Sequence, residues 1–269
     1  MKYGVWLPNG PKFGARETVD LAVAAEEGGW DGVFVSDAPR DGYTDPWTVL
    51  GAIAGRTDRI TLGTWITPVP EQLPWRLANT LATLDQLSDG RVLFGAGLGT
   101  KWDHRMFGGD YEAKQLGDRY DEALEIIDRL WSGETVDHDG EHFTLREAKL
   151  QTLPVQQPRI PVLTACWWPA KRPLRRGARW DGIMPYWPAL LGDQEGPEGQ
   201  EPTGRPVADE FRELMSYYHE HADEPGEVVA PAVRDDDYLA ACEELGVTWL
   251  MRGSIDTADE LRKGPEQLV

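Results

Sequence analysis

Residues 91–100 read RVLFGAGLGT, an apolar run that opens into three glycines, Gly95, Gly97 and Gly99, each separated by one residue. The run is too short for a helix and does not alternate with polar residues. It therefore reads as a strand, 92–96, buried on both faces, as in a parallel sheet covered by helices. Before it, residues 74–87 carry a helical pattern that stops at Asp89-Gly90. Further back the same unit recurs: strands at 3–7, 32–36 and 60–66 alternate with helices at 16–27 and 47–55, the second opened by Asp45-Pro46 as N-cap and first helical residue. Downstream lies an excursion over 101–159, with an amphipathic helix at 116–131 and a hairpin, VDHDGEHFTL, turning at Asp139-Gly140. Strand patterns resume at 160–165, 181–186, 227–232 and 247–252. Eight strands separated by helices predict an α/β fold: a (βα)8 TIM barrel with an insertion after strand 4, one domain over 1–269, its site at the strand C-terminal ends.

Composition narrows the function. The chain has 46 acidic and 27 basic residues, a net charge of −19, and only seven of the basic residues are lysine. Such a surface repels nucleic acid and anionic membranes. It fits a protein kept hydrated in concentrated salt, or an ordinary acidic cytosolic enzyme. No window approaches the ~20 apolar residues that span a bilayer, so a soluble cytoplasmic protein is expected. Cys166 and Cys242 have no CxxC spacing and predict neither disulfide nor zinc site.

The rim glycines have two readings. They permit a sharp exit from the strand, or they let a flat ligand lie where Cβ atoms would collide. They are spaced GxGxG, not GxGxxG, and no Rossmann acid follows. Trp6, Trp65, Trp167, Trp168, Trp187 and Trp249 fall in or just after strands; each is core packing or part of an aromatic pocket for a planar ring. His219 and His221 point apart on a helix, His138 and His142 straddle a turn and His104 is alone, so no metal centre is expected. Paired strand-end carboxylates for glycoside hydrolysis are missing. The segment 192–206, GDQEGPEGQEPTGRP, is a surface loop or a lid.

Five segments together resemble the luciferase-like monooxygenase family, flavin or deazaflavin oxidoreductases on a (βα)8 barrel. They are GGWDGVFVSD (28–37), RITLGTWITPVP (59–70), ANTLATLDQLSDGRVLFGAGLG (78–99), DEALEIIDRLWSGETVDHDGEHF (121–143) and LRRGARWDGIMP (174–185). The likeness covers 1–188 well and the rest loosely. It implies that the rim glycines bring backbone close to the cofactor ring, and that a non-prolyl cis peptide, Trp65–Ile66 here, bulges strand three behind it. The ring-binding set it implies is Asp37, Thr64, Trp65, Ile66, Ala96, Gly97 and Gly99. The cofactor phosphate is implied at the backbone after strand five, at Ala165, Cys166 and Trp167, where many relatives carry Gly-Gly. Arg172, Arg175 and Arg176 either add charge there or are plain helix-face residues. A homodimer through helices around strands two to four is implied as well.

Two departures shape the chemistry. Sugar-oxidising deazaflavin relatives place a histidine after the strand-two Asp and a glutamate after the strand-four glycines; this chain has Ala38 and Thr100. Alcohol oxidation needs a base for the hydroxyl proton, and only Asp37, Asp103 and His104 offer substitutes. Asp37 and His104 are the catalytic candidates. The expected function is hydride transfer from reduced coenzyme F420, or FMN, to a small organic substrate, with the lysine-poor composition inclining the choice to F420. The alternatives are an FMN-dependent monooxygenase, a non-catalytic flavin-binding barrel and a metal-free hydrolase.

Overall fold

The structure, a computed structural model, describes residues 1–38, 42–99, 112–191, 201 and 203–267. Thr100, Asp103, His104 and residues 192–200 and 202 of the 192–206 segment lie outside the described residues. Chain order is β1 (Lys2–Trp6), α1 (Ala15–Glu27), β2 (Gly32–Val35), α2 (Pro46–Ala54), β3 (Thr61–Thr64), β4 (Thr67–Pro68), α3 (Pro74–Leu87), β5 (Val92–Gly97) and α4 (Ala113–Trp131). It continues with β6 (Val136–Asp139), β7 (Thr144–Ala148), β8 (Val162–Trp167), α5 (Lys171–Gly177), β9 (Gly182–Tyr186), α6 (Val207–His221), β10 (Glu227–Pro231), α7 (Asp236–Glu244), β11 (Trp249–Arg252) and α8 (Ala258–Arg262).

The sheet runs β3-β2-β1-β11-β10-β9-β8-β5-β4 and closes through β3–β5. Every ladder in it is parallel. Because β4 also pairs with β5, through Thr67 opposite Ala96 and Pro68 opposite Gly97, β3 and β4 are two pieces of one stave, giving the eight-stave barrel. The single strand expected at 60–66 is thus broken, and the break is the Trp65–Ile66 peptide, which is cis. Two smaller differences concern edges. Residues 140–143, not Asp139-Gly140 alone, make the hairpin turn, closed by Gly140 N–H donating to Phe143 C=O. The fifth barrel strand starts and ends two residues later than expected, so Cys166 and Trp167 belong to it.

Local chemistry explains the elements. Asp45 caps α2, its Oδ1 accepting from Thr48 N–H at 2.8 Å, with Pro46 at the first helical position. On α4 the apolar stripe Leu116, Tyr120, Ala123, Leu124, Ile127, Leu130 and Trp131 is buried as its period requires. Inside the barrel Phe34, Leu93, Leu163, Met184, Val229, Trp249 and Met251 form the central layer, on which Trp65 and Ile66 pack from above.

The base of the barrel is held by side chains that collect backbone groups. Asp31 precedes β2 and accepts from Tyr3 N–H at 2.7 Å. Asp181 precedes β9 and accepts from Val162 N–H at 2.9 Å and from Arg159. Both follow a Trp and precede a Gly, in the two WDG segments. In LDQLSDGR, buried Asp85 takes Val155 N–H, Gln156 N–H and the Gln156 amide. Arg91 donates to the carbonyls of Ala54, Thr57, Ile60 and Ser88 and to the Thr57 hydroxyl. These motif residues lock helix ends to strand starts.

Candidate active site

At the opposite end, β1 runs out through Trp6 to Asn9, whose side chain is fully buried. Its Oδ1 accepts from Ser36 N–H at 3.0 Å and its Nδ2 donates to Ser36 C=O at 2.9 Å, a two-point clamp on the residue after β2. Trp6 adds an indole N–H to the Ser36 hydroxyl at 2.9 Å. Residue 37 is thereby fixed in place.

Asp37 follows that clamp and is largely buried. Burial raises its carboxyl to about 6; a hydrogen bond with Thr67 works against the rise and the Asp45 carboxylate adds to it. Its Oδ2 has no hydrogen-bond partner among the described residues. Thr67 hydroxyl in turn donates to Thr64 Oγ1 at 3.0 Å, and Thr64 hydroxyl donates to Gly95 C=O at 2.9 Å. The broken stave is thus tied to β5 beneath the cis peptide.

The glycines of the opening stretch have a specific neighbour. A Cβ on Gly95 would strike the Thr64 carbonyl, and one on Gly97 would strike the Ile66 side chain. Of the two sequence readings, each holds in part: these glycines make room, but the room is filled by the strand-three bulge, which is what any ligand above would meet. Gly99 has φ +77°, in the region glycine enters at no steric cost. Trp65 and Ile66 remain half-exposed on top of the barrel core and form an apolar floor. Ala96 is buried beside them.

The six tryptophans divide by position. Trp168, Trp187 and Trp249 are buried; Trp187 stacks on Phe211 in the outer layer at 5.0 Å. Trp6, Trp65 and Trp167 are half-exposed at the rim. Trp167 stacks on Tyr186 at 4.9 Å, and its Nε1 has no partner among the described residues.

Asp37, Thr64, Trp65, Ile66, Ala96 and Gly97 therefore gather on neighbouring staves, with β8 and its Ala165, Cys166 and Trp167 adjoining them through β5. The backbone just past β8 is not a free anion cradle. Trp168 N–H donates to Tyr186 C=O, Pro169 has no N–H and Ala170 N–H donates to Trp167 C=O. The nearby arginines are engaged too: Arg172 binds Asp118 and Asp121, Arg176 binds Asp121, and Arg175 reaches the Tyr217 hydroxyl at 3.3 Å. Burial pushes the Cys166 thiol far up, so it stays protonated. Asn9, Ser36 and Thr67 were not singled out in the sequence; Pro8-Asn9-Gly10 looks like a common turn, and Thr67 acquires a role only through the bulge. Among the described residues no group of three His, Cys, Asp or Glu side chains gathers as a metal site.

A planar ring fits the rim at the bulge: an apolar floor from Trp65 and Ile66 and, unpartnered among the described residues, a buried carboxyl oxygen on Asp37 and the indole N–H of Trp167. For a cofactor phosphate, residues 168–170 supply no free amide.

Comparison with known proteins adds the following. The profile of the luciferase-like monooxygenase family matches residues 1–187. An F420-dependent glucose-6-phosphate dehydrogenase of Nakamurella multipartita is 34% identical over 220 residues, 76% of this chain and 63% of that protein. The protein of the same name from Amycolatopsis mediterranei is 33% identical over 227 residues, 78% and 68% of the two chains; that from Microbacterium testaceum is 34% identical over 169 residues, 59% and 49%. The chain thus spans about half to two thirds of the length of the curated relatives it matches. Among solved structures, an F420-dependent secondary alcohol dehydrogenase in complex with an F420–acetone adduct superposes with TM-score 0.74 at 18% identity, covering 100% and 98% of the two chains. The coenzyme F420 dependent tetrahydromethanopterin reductase of Methanopyrus kandleri gives 0.76 at 15% identity, covering 97% and 96%. These last two establish the fold.

Proposed function

The chain belongs to the luciferase-like monooxygenase family, and from that premise we propose that it is an oxidoreductase using reduced coenzyme F420 for hydride transfer to a small organic substrate with a polarised double bond. The names of its relatives support F420 over FMN. When bound, a reduced deazaflavin supplies a hydride and leaves oxygen insertion aside. Trp65 and Ile66 would lie under the ring, Ala96 and Gly97 would border it, Asp37 would stand at its edge, and Trp167 would approach from β8. The phosphate-bearing tail would find little at residues 168–170, so affinity would reside at the ring.

The observation that carries the reading is Asp37: a clamped, buried carboxyl whose ionisation is displaced toward neutrality and whose second oxygen is unengaged among the described residues. Reduction of a double bond consumes a proton as well as a hydride, and an acid titrating near the working pH delivers it efficiently. Oxidation of a carbinol instead needs a base, and beside Asp37 this chain has Ala38. His104 is a second candidate for proton transfer. We take residues 1–269 as one barrel domain of a cytoplasmic, salt-adapted homodimer. The charge of −19 supports the salt adaptation, and the exposed Leu73 and Trp75 at the start of α3 support the dimer. No helix among the described residues is long and apolar enough to cross a membrane.

Fluorescence titration of the purified protein in high salt, with F420 and FMN in parallel, tests the proposal. Tight F420 binding, with oxidation of the reduced form on adding an enone or imine, is the expected result. Preference for FMN, or binding of neither, overturns it.

A further inference from the structure

Strand β1 leaves the sheet one step before β2 ends. Leu7 N–H donates to Phe34 C=O at 2.8 Å, a main-chain rung between the two. Pro8 has no N–H to carry the ladder on, and its carbonyl is taken by the Thr18 hydroxyl at 2.8 Å. The carboxamide of Asn9, 0% exposed, supplies the next rung instead, pairing with both main-chain groups of Ser36. With the Trp6 indole on the Ser36 hydroxyl, each polar atom of the residue before Asp37 is held from β1 or its exit.

Asn9 also reaches the far end of the connection that carries Asp37. Its Nδ2 donates to Thr44 C=O at 3.3 Å, and its own C=O accepts from Thr44 N–H at 2.8 Å and from the Thr44 hydroxyl at 3.3 Å. A carboxamide has one oxygen and two N–H groups. Here the oxygen serves Ser36 N–H, one N–H serves Ser36 C=O and the other serves Thr44 C=O, so none is spare. Thr44 directly precedes Asp45, the cap of α2, so the same side chain sets how Asp37 stands relative to that helix. Of residues 37–43 the structure describes Asp37, Ala38, Gly42 and Tyr43. We propose that Asn9 is the positioning residue for the acid of this site: by gripping Ser36 and Thr44 together it closes the two ends of the connection and keeps the Asp37 carboxyl in its buried place. Fully buried itself, Asn9 acts through Asp37 and touches no substrate.

This inference deepens the proposed function and rests on it only for the consequence in catalysis. The first test is therefore made on cofactor-free protein, by carboxyl 13C NMR of aspartate-labelled chain with the Asp37 signal identified by its loss in Asp37→Asn. Asn9→Leu keeps the bulk and removes the donors and the acceptor. Burial is the largest influence lifting Asp37 from 3.8 to about 6, so the looser connection should lower its midpoint by roughly one pH unit or more. Asp85→Ala, which weakens the opposite end of the barrel, should leave that midpoint in place. Hydrogen exchange in the unaltered protein needs no folded variant: the Ser36 and Thr44 amides and the Asn9 carboxamide should open as one unit, with protection equal within about tenfold. An unmoved midpoint in folded Asn9→Leu, an equal shift in Asp85→Ala, or separate opening of Ser36 and Thr44 overturns the positioning role. With reduced F420 and a double-bond substrate, Asn9→Leu should lose about tenfold to a hundredfold in kcat while binding F420 within about threefold of the parent. Weakened F420 binding with kcat intact would also overturn it. A parent protein that does not oxidise reduced F420 would sink the proposed function and leave the NMR and exchange outcomes standing.

Discussion

Carboxylates at the two ends of this barrel are treated in opposite ways. At the base, Asp85 receives three donors and Asp181 a forked arginine and an amide. Burial works to raise the Glu26 carboxyl, but the amides of Asp58, Arg59 and Ile60 together with the Arg59 charge hold it below the usual carboxylate range. At the rim, Asp37 has, among the described residues, one hydroxyl, a neighbouring like charge and an unpartnered oxygen. A saturated carboxylate serves as a fastener. An undersupplied one sits near its titration point and can pass a proton.

If that division is right, damage at the base should be large and confined to stability. Asp85→Ala leaves two backbone amides and one of the two N–H groups of the Gln156 side chain without acceptors, and should cost about 3–5 kcal/mol in denaturant unfolding. Cofactor affinity of the folded fraction should stay unchanged; a loss of affinity instead would break the comparison.

At the rim the sign reverses. Asp37 is raised in the folded state from 3.8 to about 6, so between those values the folded protein holds a proton that the unfolded chain releases. Stability therefore falls as pH rises from about 4 to about 6 and is level above that. Asp37→Asn should remove the decline and stabilise the protein at pH 7 by up to about 3 kcal/mol, at one pKa unit per 1.36 kcal/mol. The same variant should lose hydride-transfer rate, the usual exchange of stability for activity. Thermal unfolding across pH reads the first part.

Intermediate effects are expected where β5 meets the bulge. A methyl on Gly97 collides with Ile66, so Gly97→Ala should displace the floor and weaken ring binding by about tenfold or more, near 1.4 kcal/mol, with a smaller change in thermal stability. The smallest effect should come from the phosphate end. Because residues 168–170 have no amide to offer, a deazaflavin shorn of its phosphate-bearing tail should bind within about tenfold of the whole cofactor, under 1.4 kcal/mol. A loss of several hundredfold would place an anion site elsewhere on the rim.

The comparison also explains what could be read from the chain. Strand runs such as VLFGAG and GVFV are buried on both faces and announce themselves as apolar strings, so the barrel was legible. Among the segments carrying the family likeness, LDQLSDGR and the two WDG corners are base fasteners whose side chains bind nearby backbone, and short-range chemistry leaves a dense local signature. The rim has none. Asp37 was visible as a strand-end acid, but its displaced titration comes from burial in the folded rim, opposed by Thr67, 30 residues away in the chain and beyond the break at Trp65–Ile66. Asn9 fixes Ser36 across a separation of 27 residues. The break itself came from resemblance, since no periodicity in ITLGTWI interrupts the strand.

In the proposed reaction Asp37 passes a proton to the substrate as it is reduced. Single-turnover oxidation of reduced F420 by an enone, followed across pH in the unaltered protein and in Asp37→Asn, tests this most directly. The account predicts a rate that falls above the Asp37 midpoint, and a slow, pH-independent rate in Asp37→Asn. An Asp37→Asn protein as fast as the parent, with the same pH profile, would contradict it.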